Sequence, residues 1–277
     1  MFEKKVKNII VTGGSRGLGL SHVCHLASRG YNIAIIDISK DACRVYKEVD
    51  SIDDLLSKIR SHGVKAEFYE CDLTKIQELT KKINGIIDDF SVIHGVVANV
   101  GGDVVGRDEL ASGGKADANS IEISIDNHNE IFDRNYLTCL NTIKAILPHF
   151  KQNRFGKIIT TASISAGYGV PQETAYAVSK SAVLHLTRCV ATEVRDYDIN
   201  VNCIAPGATL TGRFNATLDR RNAVDREKVF AKDASFLKRP AEPQYVSSVV
   251  EFLLSPASDY ISGQMIRIDG GQFTTPM

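Results

Sequence analysis

Net charge is the first thing this chain lacks: 33 Lys and Arg balance 33 Asp and Glu. No basic stripe stands out either, which argues against nucleic acid or an anionic membrane as the main partner. There is no Pro/Ser-rich linker, no shift in composition and no internal repeat. The 277 residues, 43% of them hydrophobic, are therefore read as one domain with a sizeable core. The early apolar run Ile9 to Val11, behind Lys4, Lys5 and Lys7, is too short for a signal peptide and stops in a glycine loop. A cytoplasmic location is the expectation. Cys24, Cys43, Cys71, Cys139, Cys189 and Cys203 form no C-x-x-C pair and no zinc spacing, and most fall inside apolar helix or strand patterns. They read as buried free thiols in a reducing compartment. The seven histidines form neither H-x-x-x-H nor H-E-x-x-H, so no catalytic metal is expected.

What is present begins with Val6 to Thr12, a buried-strand pattern, followed by Gly13-Gly14-Ser15-Arg16-Gly17-Leu18-Gly19 and a helical pattern from about Leu18 to Arg29. Strand, glycine turn and helix in that order cradle a phosphate. Small residues let the backbone approach a pyrophosphate, and free N–H groups at the helix start receive its charge. Thr12, Gly13, Ser15, Arg16, Gly17, Leu18 and Gly19 are the expected cradle, spaced T-G-x-x-x-G-x-G rather than G-x-G-x-x-G. A second strand, Asn32 to Asp37, ends in an acid 18 residues beyond Gly19, the spacing of a carboxylate that takes the ribose hydroxyls of NAD. Arg16 pulls the other way, because a guanidinium there would suit the 2′-phosphate of NADP. Like-charge opposition at the ribose is harder to accommodate than an unused Arg, so the expectation is NAD over NADP.

Strands continue at Lys65 to Glu70, Val92 to Asn99, Gly156 to Thr161, Ile199 to Ile204 and Gln264 to Asp269. Between them lie helical patterns at Ser51 to His62, capped by Ser51, then Lys75 to Phe90, Asn127 or His128 to Lys151, Gln172 to Tyr197, and onward from Pro243. This alternation means a parallel, doubly wound α/β sheet of seven strands. Asp72, beside Leu73, is a candidate for the adenine amino group and equally for a helix cap. Asn99 and Gly101 close the fourth strand at the crevice where such sheets bind ligands. Segments 39–50 and 103–126 read as insertions, the second as either a substrate lid or a surface loop. Residues 208–235 read as a lid with two short helical pieces, Asn215 to Arg220 and Asp225 to Lys232.

Ser163 to Lys180 carries the chemistry. On a helix, Tyr176 and Lys180 stand at i and i+4, so phenol and ammonium share a face. A cation beside a phenol stabilises phenolate and lowers its pKa toward the working range, which gives a proton donor or acceptor near neutral pH. Ser163, at a strand end, would polarise a carbonyl. The bare Y-x-x-x-K pattern is equally that of an ordinary helix surface; it is the other motifs that decide between the two.

With the glycine loop, Asn99-Val100-Gly101, Asn135, Ser163, Tyr176-x-x-x-Lys180 and Pro206-Gly207 all in order, the chain resembles the short-chain dehydrogenase/reductase family, which has a Rossmann fold. Ser163 precedes Tyr176 by 13 residues, the family's usual interval, and the C-terminal stretch from Arg239 to Gly271 is also similar to theirs. The resemblance implies Tyr176 as general acid/base, Lys180 lowering its pKa and binding the nicotinamide ribose, Ser163 on the carbonyl and Asn135 holding a relay water. It further implies that Pro206, Gly207, Thr209 and Thr211 contact the carboxamide end of the cofactor. Homotetramers or dimers built on the two long helices are the family expectation.

The chain departs from the family at Ala98 and Val100, which replace residues of an N-N-A-G motif with side chains of similar size. The segment after Asp37 resembles an insertion of the carveol-dehydrogenase-like branch, where a longer loop covers the cofactor; the same cover here would slow NAD exchange. Candidate substrate contacts are Ser163, Tyr168, Arg107, Lys115 and Arg213. The expected function is hydride transfer between NAD(H) and a secondary alcohol or ketone, a small polar or alicyclic metabolite. The alternative is an NAD-redox-sensing binding protein on the same fold, which would need no proton relay.

Overall fold

The computed structural model describes residues 7–103, 121–169, 173–220, 237 and 239–274. Seven parallel strands form one sheet: β1 (Asn8–Thr12), β2 (Asn32–Asp37), β3 (Ala66–Glu70), β4 (Gly95–Ala98), β5 (Gly156–Thr161), β6 (Ile199–Pro206) and β7 (Met265–Ile268). Their order is β3-β2-β1-β4-β5-β6-β7. The chain therefore reverses its direction of winding between β1 and β4, where Val11 pairs with Val97 and Thr12 with Ala98. Loops leaving these two strands diverge there, which opens the crevice of a doubly wound sheet.

Side chains alternate across the strands and divide the core in two. Ile10, Val96, Ile158 and Val201 pack on one face with residues of α3 (Ile76–Phe90), α5 (Thr138–Asn153) and α6 (Thr174–Val194). Ile9, Val11, Val97, Ile159 and Ile204 pack on the other with α1 (Gly17–Ser28), α2 (Ile52–Arg60) and α8 (Pro243–Leu254). Both faces are covered, which is why these strands read as near-continuous apolar runs. Among the described residues no helix is long and apolar enough to cross a membrane.

Local chemistry explains the ends. Ser51 accepts a hydrogen bond from the Asp54 amide at 3.1 Å, with Asp53 and Asp54 in the first turn of α2. Several boundaries differ from expectation; the fourth strand, for one, is Gly95–Ala98 rather than Val92 to Asn99. The long helix expected from residue 127 or 128 starts earlier, as α4 (Ile125–Phe132), because Ser124 caps it by accepting from the Asn127 amide. It is also not continuous: a π turn, Asp133–Leu137, separates α4 from α5. Segment 103–126 thus ends inside a helix, while 104–120 lie outside the described residues. Segment 39–50 holds a 3-10 turn, Lys40–Arg44, whose Ala42 and Cys43 are buried. In the lid, α7 (Gly212–Arg220) starts three residues before the first expected piece; the second piece lies outside the described residues. All six cysteines are free, and Cys189 is exposed rather than buried.

Candidate active site

The turn after β1 needs its glycines. Gly13 and Gly17 have φ of 65° and 58°, and a Cβ at Gly19 would overlap the Gly13 carbonyl. The turn is fastened to β4: the Asn99 amide donates to Thr12 Oγ1 at 3.1 Å and Asn99 Nδ2 to the Gly13 carbonyl at 3.4 Å. Leu18 follows in the first turn of α1. Such a cradle, with backbone close to open space and a helix N-terminus beside it, fits a dinucleotide pyrophosphate.

Asp37 is buried at the end of β2 and turned onto this loop. Its Oδ2 accepts from the Ser15 amide at 3.2 Å and from the Ser15 hydroxyl, and its Oδ1 from the Ile38 amide at 2.8 Å. The acid therefore ties down the glycine loop. Arg16 lies over the Tyr46 ring at 5.7 Å. Asp72 is held in its own turn, where Oδ1 accepts from the Thr74 amide at 3.0 Å and the Thr74 hydroxyl at 2.7 Å, while the Leu73 carbonyl takes Asn141 Nδ2 at 2.9 Å. Asp72 does not serve as the expected helix cap, since α3 begins at Ile76 behind Lys75 with no side-chain cap bond; the carboxylate closes a local turn instead.

Sequence reasoning missed Glu48. Its carboxylate accepts from the Gly17 amide at 2.8 Å and the Gly212 amide at 2.9 Å, joining segment 39–50 to the starts of both α1 and α7. A negative group between two helix N-termini is electrostatically favoured. No short-range pattern announces it, since its partners are 31 and 164 residues away.

Across the crevice, β6 ends in Pro206 and the Gly207 amide bonds to the Ile268 carbonyl at 3.0 Å. Thr209 is buried and donates to the Gly207 carbonyl at 3.0 Å. Thr211 Oγ1 accepts from the Phe214 amide at 3.3 Å, starting α7, and the Thr211 side chain faces Gly17, where a Cβ would meet it at 3.9 Å. The 206–211 segment thus faces the glycine loop.

Lys180 and Asn135 meet beside Gly101. A Cβ there would stand 2.6 Å from Lys180 Nζ and 2.7 Å from Asn135 Oδ1, so only glycine leaves room. Asn135 lies in the π turn. It is buried and grips Gly102 from both sides, Oδ1 accepting from its amide and Nδ2 donating to its carbonyl, each at 2.8 Å; Nδ2 also reaches the Ile131 carbonyl at 2.8 Å. Ser163 begins a 3-10 turn, Ile164–Gly167, accepting from the Ser165 amide at 3.2 Å. It also bonds to the Tyr176 phenol.

Lys180 is 2% exposed, donates to the Thr161 carbonyl at 2.8 Å, and holds Nζ 5.7 Å from the Tyr176 ring centre. Burial pushes its pKa down to about 8. The expectation that Lys180 lowers the Tyr176 phenol is not met. Burial dominates and pushes the phenol up, opposed by the Ser163 bond and the charge of Arg213. Tyr168 stacks on Phe273 with ring centres 4.2 Å apart, and burial raises its phenol too. Arg213, on α7, donates to the Asp103 carbonyl at 2.8 Å. Arg107 and Lys115 lie outside the described residues.

A dinucleotide-dependent oxidoreductase is the class of protein that such a crevice defines. A family model described as enoyl-(acyl carrier protein) reductase matches residues 13–272. The chain belongs to the short-chain dehydrogenase/reductase family and is an oxidoreductase acting on CH–OH or C=O groups. It is 29% identical over 271 residues to cyclohexanol dehydrogenase of Rhodococcus sp. (strain TK6), covering 96% of this chain and 95% of that one. It is 27% identical over 267 residues to a 3-oxoacyl-(acyl-carrier-protein) reductase of Staphylococcus epidermidis, covering 96% and 99%. Among solved structures, 7α-hydroxysteroid dehydrogenase complexed with NADH and 7-oxoglycochenodeoxycholic acid superimposes with a TM-score of 0.81 at 26% identity, covering 97% of this chain and 95% of that one.

Proposed function

We propose that the protein transfers a hydride between NAD(H) and a secondary alcohol or ketone, small and polar or alicyclic, with Tyr176 as the proton-transferring group. The observation that carries this reading is the grouping of Ser163, hydrogen-bonded to the Tyr176 phenol, with Lys180, whose Nζ lies 5.7 Å from the Tyr176 ring centre. In the direction of oxidation, Tyr176 takes the alcohol proton as the C–O bond becomes C=O; in reduction it returns that proton to the forming alkoxide. Ser163 donates to the substrate oxygen and stabilises the charge that develops there. Lys180 binds the nicotinamide ribose and adds positive charge beside the phenol. Asn135 fixes the Gly101–Gly102 backbone and serves the relay water. When bound, the nicotinamide supplies the hydride donor or acceptor at ring carbon C4.

Thr12, Gly13, Ser15, Arg16, Gly17, Leu18 and Gly19 hold the pyrophosphate in this reading, Asp37 the adenosine ribose, and Thr209 and Thr211 the nicotinamide end. NAD rather than NADP is supported by the buried Asp37 carboxylate at the ribose position and by Arg16 lying over Tyr46. The cyclohexanol relative supports an alicyclic substrate. A panel of alcohols and ketones read by NADH absorbance, with NADP(H) run in parallel, tests the reading. Expected are turnover of a secondary alcohol or ketone, a preference for NAD of about tenfold or more, and a loss in kcat on the order of 10²- to 10⁴-fold in Tyr176→Phe. Undiminished turnover in Tyr176→Phe overturns the catalytic assignment of Tyr176, whereas NAD(H) binding with no turnover of any alcohol or ketone in wild type favours the redox-sensing alternative.

A further inference from the structure

Beyond Gly101 the loop after β4 runs through Gly102 to Asp103, whose side chain is buried at 3% exposure. The Asp103 carbonyl accepts from two guanidiniums, Arg134 Nη1 at 2.7 Å and Arg213 Nη2 at 2.8 Å. Two cations on one neutral oxygen repel each other unless each is offset. Arg134 is offset, because its Nη2 pairs with Glu130 one turn earlier on the same helical stretch. Arg213 forms no ion pair with a carboxylate among the described residues, its guanidinium's hydrogen bond there is the one to the Asp103 carbonyl, and the buried Asp103 carboxylate acts on Arg134 and Tyr176.

Arg213 is also placed to meet substrate. Thr211 and Gly212 face the glycine loop through Gly17 and Glu48, whereas Arg213 turns the other way and lies against Gly102; a Cβ at Gly102 would overlap its guanidinium. Gly102 is the residue that Asn135 grips, one step from Gly101, beside which Lys180 and Asn135 meet. Arg213 acts electrostatically on both of those groups, lowering each. A guanidinium with most of its five N–H donors unused presents a planar fork that matches a carboxylate.

We propose that Arg213 binds an anionic group of the substrate, so that the carbonyl offered to Ser163 and Tyr176 belongs to a small keto or hydroxy acid. This rests on the catalytic reading above and narrows its substrate class. The cofactor's pyrophosphate shares the same anion chemistry, and Arg16 of its cradle acts on Arg134 as Arg213 does, so the test below separates the two anions.

The test uses matched pairs of ketones, each keto acid set against its neutral methyl ester, with wild type, Arg213→Ala and Arg213→Lys checked for fold by circular dichroism. Expected is a wild-type preference for the acid in kcat/KM, with Arg213→Ala reducing acid turnover at least roughly tenfold more than ester turnover, mainly through KM. Arg213→Lys keeps the charge, loses the fork and recovers part of the difference. Calorimetric titration of a non-reacting analogue, the corresponding α-methyl carboxylic acid, onto the NADH-loaded protein gives a readout independent of turnover: it binds wild type and is lost in Arg213→Ala. Acid and ester losing equally, or carboxylate binding that survives Arg213→Ala, overturns the inference. So does a weakened NADH affinity in Arg213→Ala without selective loss of the acid, which would assign Arg213 to the cofactor. Failure of the catalytic reading is separate and shows as no Tyr176-dependent turnover of acid or ester.

Discussion

Burial drives Tyr176 and Lys180 in opposite directions, the phenol upward and the ammonium down to about 8, and in each case toward the uncharged form. What works against burial at Tyr176 is the Ser163 hydrogen bond and the charge of Arg213. His22 is the residue where burial acts on stability. It is wholly buried between α1 and α8, its Nδ1 meets Ser247 Oγ at 2.9 Å, its Nε2 has no partner, and desolvation pushes its pKa to about 3. The unfolded chain, with His22 near 6.5, binds the proton first as pH falls, so stability is intact above 6.5 and declines toward 3. Between pH 7 and pH 5 this residue alone should remove about 2 kcal/mol of stability. Urea unfolding at both pH values should show His22→Asn losing less on acidification by about that amount, and equal losses in the two proteins would contradict it. Lys180 acts with the same sign in a higher window: its lowered pKa weighs against the fold below about 8, and the penalty lifts as pH rises toward 10.5.

At the scale of elements, the informative pieces are the ones that depart from regular patterns. The apolar spacing from Ile131 to Leu147 reads as one helix, and Ser124 two residues before Asp126 was a capping signal within reach of inspection. The π turn was not, because it exists to bring Asn135 onto Gly102, a residue 33 positions away. Segment 39–50 behaves likewise. Its composition says only that it is polar, yet Glu48 makes it a strap between the glycine loop and α7. A strap that covers bound NADH would make its release slow in wild type. Glu48→Ala removes two charge-assisted acceptors and should speed release by about tenfold or more. Stopped-flow displacement of NADH measures both rates; fast release in wild type that the substitution leaves unchanged would rule the strap out.

At the scale of the molecule, the sheet supplies a rigid floor while α7 and segment 39–50 supply the walls. Exposed apolar side chains on the regular elements include Val178 on α6 and Tyr245 and Phe252 on α8, surfaces suited to self-association. Light scattering in solution should give two or four times the 30.3 kDa of one chain; a strictly monomeric mass would contradict this. The sequence by itself determined the seven strands, the glycine loop, the placement of Asp37 and the shared face of Tyr176 and Lys180. Each of these is a matter of short-range period or of the φ a glycine permits, and needs no knowledge of distant neighbours. Only the tertiary structure decided that Glu48 bridges Gly17 and Gly212, that Arg213 lies on Gly102 without a carboxylate partner among the described residues, and that Tyr176 is raised rather than lowered. Those outcomes depend on desolvation and on contacts between residues far apart in the chain, and both are fixed only when the sheet brings its loops to one edge.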